Sequence, residues 1–464
     1  MRRAGLPVCC LIGLAALAAA ASFDRITPDS LRANITWLAS DERQGRVSPS
    51  PGLDASADYL AGQFRAAGLA PGGTGGSFFQ TADFAQVTPN FEGLQLTVEA
   101  GGRSIVVLNL LARSIRGLDF NSEPVVVWPA ADVAGRVVYA GRLSLDDVGL
   151  DALRAKKPAL ILLSSSGSRR RSTKSVLMDS DPAIAPLIQV YSRAAEELFR
   201  GGHGRLTLHL PAPARHDVKM RNVAGILRGS DPALRDQYVI VSAHYDHLGT
   251  KPPGPGDRIY NGANDDASGT ASLIEIAKTL AADPKPKRSV LFLGLFGEEE
   301  GLLGSEYYVR HPLVPIKRTV ANLNLEQLGR TDSSDGPEIG TFAFTGEGYS
   351  DLPRTVAAAA KTQGVSTYHK DGSDNYFDRS DNYSFAAAGI VAHTLVVAFE
   401  FPDYHEVGDE ASKIDYANLA KVDRGIAAGV LAVADAAEAP KWSNAAGAKP
   451  YRQAAGDVKA PAQK

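Results

Sequence analysis

From about residue 222 onward, runs that are apolar almost throughout alternate with amphipathic stretches. "QYVIVSAHYD" (237–246), "RSVLFLGLFG" (288–297), "TVANLNLEQLG" (319–329), "TFAFTG" and "GIVAHTLVV" read as strands with both faces covered. "ASGTASLIEIAKTLAA" (267–282), the start at "GLLGSEYYVRH" (301–311), 351–363 and 414–437 read as helices. This alternation predicts an α/β fold: a mostly parallel central sheet with helices on both faces. In such sheets ligands bind beyond the C-terminal ends of the strands.

The texture differs between about 95 and 214. Short strand-like runs dominate there: "SIVVLNLLA", "EPVVVW", "GRVVYAG", "PALILLSSS" and "APLIQVYS". Helices are expected near 150–156 and 193–200, giving a smaller, β-rich domain inserted in the chain. Before it, "DASADYLAGQFRAAG" (54–68) has helical spacing and ends on Gly68. The expected division is 1–21, 22–94, 95–214, 215–438 and 439–464. The last segment is rich in Ala, Lys, Gly and Pro and is expected to be disordered. "GSRRRSTK" (167–174) reads as a solvated basic loop.

The N-terminus has its own pattern. Arg2 and Arg3 precede an apolar run and then small residues at Ala19–Ala21, the layout of a secretory signal peptide cleaved near Ala21. A secreted or periplasmic location follows. The apolar run is too short for a stable membrane span. Cys9 and Cys10, the only cysteines, lie inside it, so the mature chain has no thiolate ligand and any metal must rest on His, Asp and Glu. The 464 residues are 44% hydrophobic with a formal net charge of −3, which gives no basic field for nucleic acid or an anionic membrane. Oligomeric state leaves no mark in the sequence.

Acidic residues and histidines collect at the predicted strand ends. They are His244, Asp246 and His247; Glu298, Glu299 and Glu300; Glu326; and, in the loop after "LVVAFEFP", Asp403, His405 and Asp409. Asp265 and Asp266 precede a helix in "ANDDASG". Taken singly, each group has a plainer explanation: a structural His, an acidic turn, or an acidic helix N-terminus. Delivered together to one sheet edge, so many carboxylates would repel unless cations neutralise them. Imidazole and carboxylate ligands without thiolate suit a hydrolytic zinc site, and one Asp of the 265–266 pair would bridge two metals while the other shapes the turn.

Six blocks, "AHYDHLG", "NGANDDASG", "FGEEEGLLGS", "NLNLEQLGR", "SDNYSFAAAGI" and "PDYHEVGDE", occur in this order over roughly 215–438. Each is weak alone. Together they resemble the secreted co-catalytic di-zinc aminopeptidases, which include aminopeptidase Y, bacterial leucine aminopeptidases and the glutamate carboxypeptidases, with the transferrin receptor as a non-catalytic relative. The resemblance implies the zinc exopeptidase fold, two zinc ions and a peptide substrate with a free N-terminus. The segment 95–214 resembles, less sharply, the protease-associated domain inserted in many members.

Carried over by position, His244 is a ligand of one zinc and Asp246 holds its ring. Asp265 bridges, and a cis peptide follows it. Glu298 is the general base acting on a zinc-activated water, and Glu299 and His405 are ligands of the second zinc. Tyr404 helps polarise the substrate carbonyl, and Asp409 supports His405. Glu326 stands where the aminopeptidases usually have Asp, so the carboxylate reaches one methylene further. His247 has no counterpart among the ligands and is expected in a structural or rim role. Phe399, Phe401 and Tyr383 either line an apolar pocket or pack internally. The alternatives on this fold are a glutamate-type carboxypeptidase, a glutaminyl cyclase and a non-catalytic binding protein.

Overall fold

A computed structural model describes residues 23–143, 148–165, 172, 174–202, 204–283, 285–334 and 336–459. The expected signal peptide and most of the basic cluster at 167–174 lie outside these residues. The chain divides into two compact units: residues up to Thr81 together with those from Arg221 onward, and Ala82–Met220. These boundaries fall inside strands, Phe79–Thr88 and Ala214–Leu227, so no shift in composition marks them.

In the first unit, the part of strand β1 (Ala214–Leu227) from Arg221 onward and strands β2 (Tyr238–His244), β3 (Ser289–Leu295), β4 (Thr319–Glu326), β5 (Thr341–Phe344) and β6 (Val391–Val396) lie in one sheet in the order β5-β6-β4-β2-β3-β1. β3, β2, β4 and β6 run parallel, while β1 and β5 pair antiparallel with their neighbours. Every residue of β3 and β6 is buried, as their unbroken apolar runs require of strands covered on both sides. One group of helices, α1 (Pro28–Leu38), α2 (Pro51–Ala66), α3 (Gly269–Ala281), α5 (Leu352–Lys361) and α7 (Tyr416–Asp435), packs together; α4 (Leu303–Arg310), α6 (Asn382–Ala387) and α8 (Lys449–Lys459) form another. Among the described residues no helix is long and apolar enough to cross a membrane.

The disordered tail is a correction. Trp442 Nε1 donates to the Gly389 carbonyl at 3.2 Å, and the Tyr451 ring packs against Phe377, Tyr383 and Trp442. The composition of 439–464 is that of a loose segment, but the contacts of these two aromatic residues tie the stretch 442–451 to the body.

In the second unit, eight strands form one sheet: Arg103–Val106, Gln95–Ala100, Arg205–Leu210, Leu118–Val127, Val137–Tyr139, Leu160–Ser164, Leu187–Val190 and Leu110–Arg113 in spatial order. The middle of this sheet is parallel and its two flanks are antiparallel. Along Leu160–Ser164, Leu160 and Leu162 enter one core cluster while Ile161 and Leu163 enter another, the two-residue alternation of a strand covered on both faces.

Candidate metal centre

The parallel strands bring the acidic groups to one edge. β2 ends on His244, and β4 ends on Glu326. Ser242 pairs with Asn324, so two residues further along each strand His244 and Glu326 come level. Glu298 and Glu299 lie just past the end of β3, after Gly297 at φ +68°. Asp265 and Asp266 follow Gly262 at φ +58° and lead into α3; their shared peptide is cis. His405 follows β6 at φ +56°.

Asp265 stands between two groups of side chains. Its Oδ1 is 3.3 Å from His244 Nε2, and its Oδ2 is 3.1 Å from His405 Nε2 and 4.0 Å from His247 Nδ1. Glu299 turns Oε1 to His247 Nδ1 at 2.7 Å and Oε2 to His405 Nε2 at 3.4 Å. His244, Asp265 and Glu326 place one ligand-type atom each close enough to share an ion, and so do His247, Asp265 and Glu299. Both ring nitrogens of His244 and of His247, Oε1 of Glu299 and Oε2 of Glu326 are buried without a hydrogen-bond partner. Polar atoms left so cost about 1–3 kcal/mol each unless something else satisfies them. Imidazole nitrogens and carboxylate oxygens converging on two points make a donor set that fits two divalent ions of the zinc type.

Around the clusters lies a scaffold of fixed hydrogen bonds. Asp246 Oδ1 is 3.5 Å from His244 Nδ1 and accepts the Glu298 backbone N–H at 3.2 Å. Asp266 Oδ1 accepts N–H groups from Gly269 and Gln327, which ties the turn to β4. Asp409, expected to support His405, instead accepts the backbone N–H groups of Asn264 and Asp265 at 3.0 Å. It clamps the loop that presents the shared carboxylate. Asp403 pairs with Arg330 and Lys413.

The electrostatics show what metal-free side chains must do. Burial, with Glu326, Glu299 and Asp381 adding, pushes the Glu298 carboxyl well above its usual range against the pull of His244. Burial likewise raises Glu326 to about 7. Burial alone would raise Asp265 and lower His244, but their mutual contact and the surrounding His and acidic groups reverse both shifts. Crowded acids in a dry crevice hold protons when no cation is present. A bound cation lets them all ionise.

Some parts of the site have no signal in the sequence. Arg46, fully buried, donates to the carbonyls of Leu38, Tyr245, Asn261 and Gly262 and so fastens the two ligand loops to α1. Nothing in "DERQGR" points to loops some 200 residues away. Asp381 is fully buried with neither oxygen hydrogen-bonded, and burial raises it to about 7. It lies in the quoted block "SDNYSFAAAGI", where its side chain type was the available clue. His247 is buried against Glu299, so a rim position is ruled out. Tyr404 stacks on the His405 ring at 4.0 Å. Phe399 packs on Tyr376, Tyr383 on Tyr451 and Phe401 beside Tyr404, all three side chains being buried.

Residues 222–430 match peptidase family M28. Over that stretch the chain is similar to the family. The matched range holds every ligand-type residue of both clusters. Among curated relatives, the probable lipoprotein aminopeptidase LpqL of Mycobacterium tuberculosis (strain ATCC 25618 / H37Rv) is 26% identical over 464 residues, covering 87% of this chain and 84% of that one. Aminopeptidase YwaD of Bacillus subtilis (strain 168) is 28% identical over 202 residues, 43% of this chain and 41% of that one. The solved structure of an aminopeptidase from Aneurinibacillus sp. strain AM-1 superposes with a TM-score of 0.50 at 20% identity, over 88% of this chain and 94% of that one, a likeness of fold alone.

Proposed function

We propose that this chain is an exported zinc-dependent exopeptidase, an aminopeptidase that hydrolyses the N-terminal peptide bond. The carrying observation is Asp265, whose two oxygens face two separate groups of unsatisfied ligand atoms. The relatives named as aminopeptidases support the choice of substrate end. The N-terminal pattern and a relative named as a probable lipoprotein support export. The unit Ala82–Met220 is read as a protease-associated-like insert, since it interrupts the peptidase unit in sequence.

His244, Asp265 and Glu326 would hold one zinc, and Asp265, Glu299 and His405 the other. Zinc held there would lower the pKa of a bound water towards about 7 and polarise the scissile carbonyl. Glu298 accepts the proton of the attacking water and passes it to the leaving amine. Asp246 keeps the His244 ring in orientation. The Tyr404 hydroxyl, kept protonated by burial and by the acids around it, donates to the developing oxyanion.

The test is an assay of purified protein on aminoacyl and N-acylated peptides, with zinc content measured on the same sample. Close to two zinc ions per chain and cleavage of free-amine substrates alone are expected. A single tight zinc with cyclisation of N-terminal Gln would favour the cyclase, release of C-terminal residues the carboxypeptidase, and no turnover with metal in place the binding protein.

A further inference from the structure

We propose that His247 is a direct ligand of the second metal, so that the Glu299 position has four protein ligands, His247, Asp265, Glu299 and His405, while the Glu326 position has three. This rests on the two-metal reading above. It makes the two positions unequal by construction.

The first observation is burial without satisfaction. His247 is 1% exposed, and neither of its ring nitrogens has a hydrogen-bond partner. A structural histidine in that setting normally gives one nitrogen to a carbonyl or carboxylate and keeps its tautomer by that bond. The second observation is direction. His247 Nδ1 lies 2.7 Å from Glu299 Oε1, a distance at which a well-aligned N–H would make a strong hydrogen bond, yet the pair forms none. Ligand-type atoms of His247, Asp265 and Glu299 all lie within 4.8 Å of one another, close enough to share one ion. Ligand bonds of about 2.0–2.2 Å put atoms that share one ion roughly 3–4 Å apart. The separations between the two histidines and the two carboxylates are 2.7, 3.1, 3.4 and 4.0 Å; three of the four fall in that range and the His247–Glu299 pair lies just below it.

The third observation is that the ring's place is built. A Cβ at Gly262 would fall 2.5 Å from the His247 ring, so only glycine leaves room for the imidazole. The His247 backbone N–H donates to the Arg46 carbonyl at 3.3 Å, and Arg46 in turn holds the Gly262 carbonyl. One buried arginine therefore locks the two segments that set the ring against Glu299. His405 Nε2 lies 3.4 Å from Glu299 Oε2, so Glu299 offers a separate oxygen to each histidine.

With one more protein donor, the Glu299 position loads first and releases its metal last; the Glu326 position is the exchangeable one. The competing reading makes His247 a positioning residue that orients Glu299. Two substitutions separate them. His247→Ala removes the ring, and His247→Gln keeps a side-chain N–H able to bond Glu299 but lacks the imidazole. Metal-free full-length enzyme is titrated with Co2+ against a competing chelator dye, while visible absorption reports coordination number and circular dichroism reports folding. Wild type should bind two ions in two steps. Both variants should stay folded and lose at least about tenfold in affinity at the tighter step, with a changed Co2+ spectrum. If His247→Gln keeps wild-type affinity and spectrum, His247 is not a ligand and the proposal falls. If wild type takes up fewer than two ions, the two-metal reading fails and this proposal with it.

Discussion

Both compact units contain parallel strands closed in on both faces, yet only one collects chemistry at their ends. In the unit Ala82–Met220, strands Leu118–Val127, Val137–Tyr139, Leu160–Ser164 and Leu187–Val190 run parallel and finish on Val127, Tyr139, Ser164 and Val190. The polar groups among these satisfy each other, the Tyr139 hydroxyl meeting Ser164 Oγ at 2.8 Å. In the other unit the parallel strands finish on or just before His244, Glu298, Glu299 and Glu326, and ligand-type atoms of His244, Glu299 and Glu326 are left unsatisfied. Among the described residues both groups of metal-type ligands lie in that unit. A parallel sheet supplies a crevice at its strand ends, but the residues placed there decide whether it becomes a site.

The sharpest way to test that contrast lies in two neighbours, Glu298 and Glu299. Successive residues leaving a strand point in different directions, so on the proposed reading one would face the attacking water and the other a metal. Glu298→Gln keeps shape and removes the base, and kcat should fall by roughly 10²–10⁴-fold with both metals retained. Glu299→Gln exchanges an anionic ligand for a neutral amide. It should lose metal at the second position and regain part of its activity when zinc is added. Wild-type turnover in a metal-loaded Glu298→Gln enzyme would show that the strand ends do not carry the proposed chemistry.

A smaller effect is expected at Glu326, the residue that departs from the usual Asp. Glu326→Ala should weaken one of the two metals, at least as much as loss of an outer-sphere partner does, about 10–100-fold. Glu326→Asp should keep the metal, with the shorter side chain shifting kcat more than metal affinity. Zinc content measured by elemental analysis after dialysis decides it: an Ala variant with two retained ions removes Glu326 from the ligand set.

The candidate ligand residues are legible in the sequence because a carboxylate or imidazole ending an otherwise apolar run has no packing reason to be there. Fold class is legible for the same physical cause: strands covered on both faces leave unbroken apolar runs. What cannot be read locally is which way a ring turns after the strand ends. His247 follows Asp246 directly, and its approach to Glu299 depends on Gly262 and Arg46, both distant in sequence. Asp409 was expected beside its sequence neighbour His405, but the loop turns its carboxylate onto the Asn264 and Asp265 amides. The tail shows the converse error, where two aromatic residues outweigh twenty-odd residues of loose composition.

The smallest effect on chemistry should come from the largest effect on the other unit. Leu162 is fully buried in a core cluster of Ala82–Met220, among Leu160, Ile188 and Val190. Leu162→Ala removes its methyl groups and leaves a cavity, which typically costs about 2–5 kcal/mol. The loss falls on a unit that supplies none of the ligand residues. Thermal unfolding followed by circular dichroism should therefore begin at lower temperature, while zinc content and kcat per folded molecule at 25 °C stay at wild-type values. A drop in bound zinc at a temperature where the variant is folded would mean that the ligand cluster depends on the packing of Ala82–Met220, and the division of labour between the two sheets would have to be abandoned.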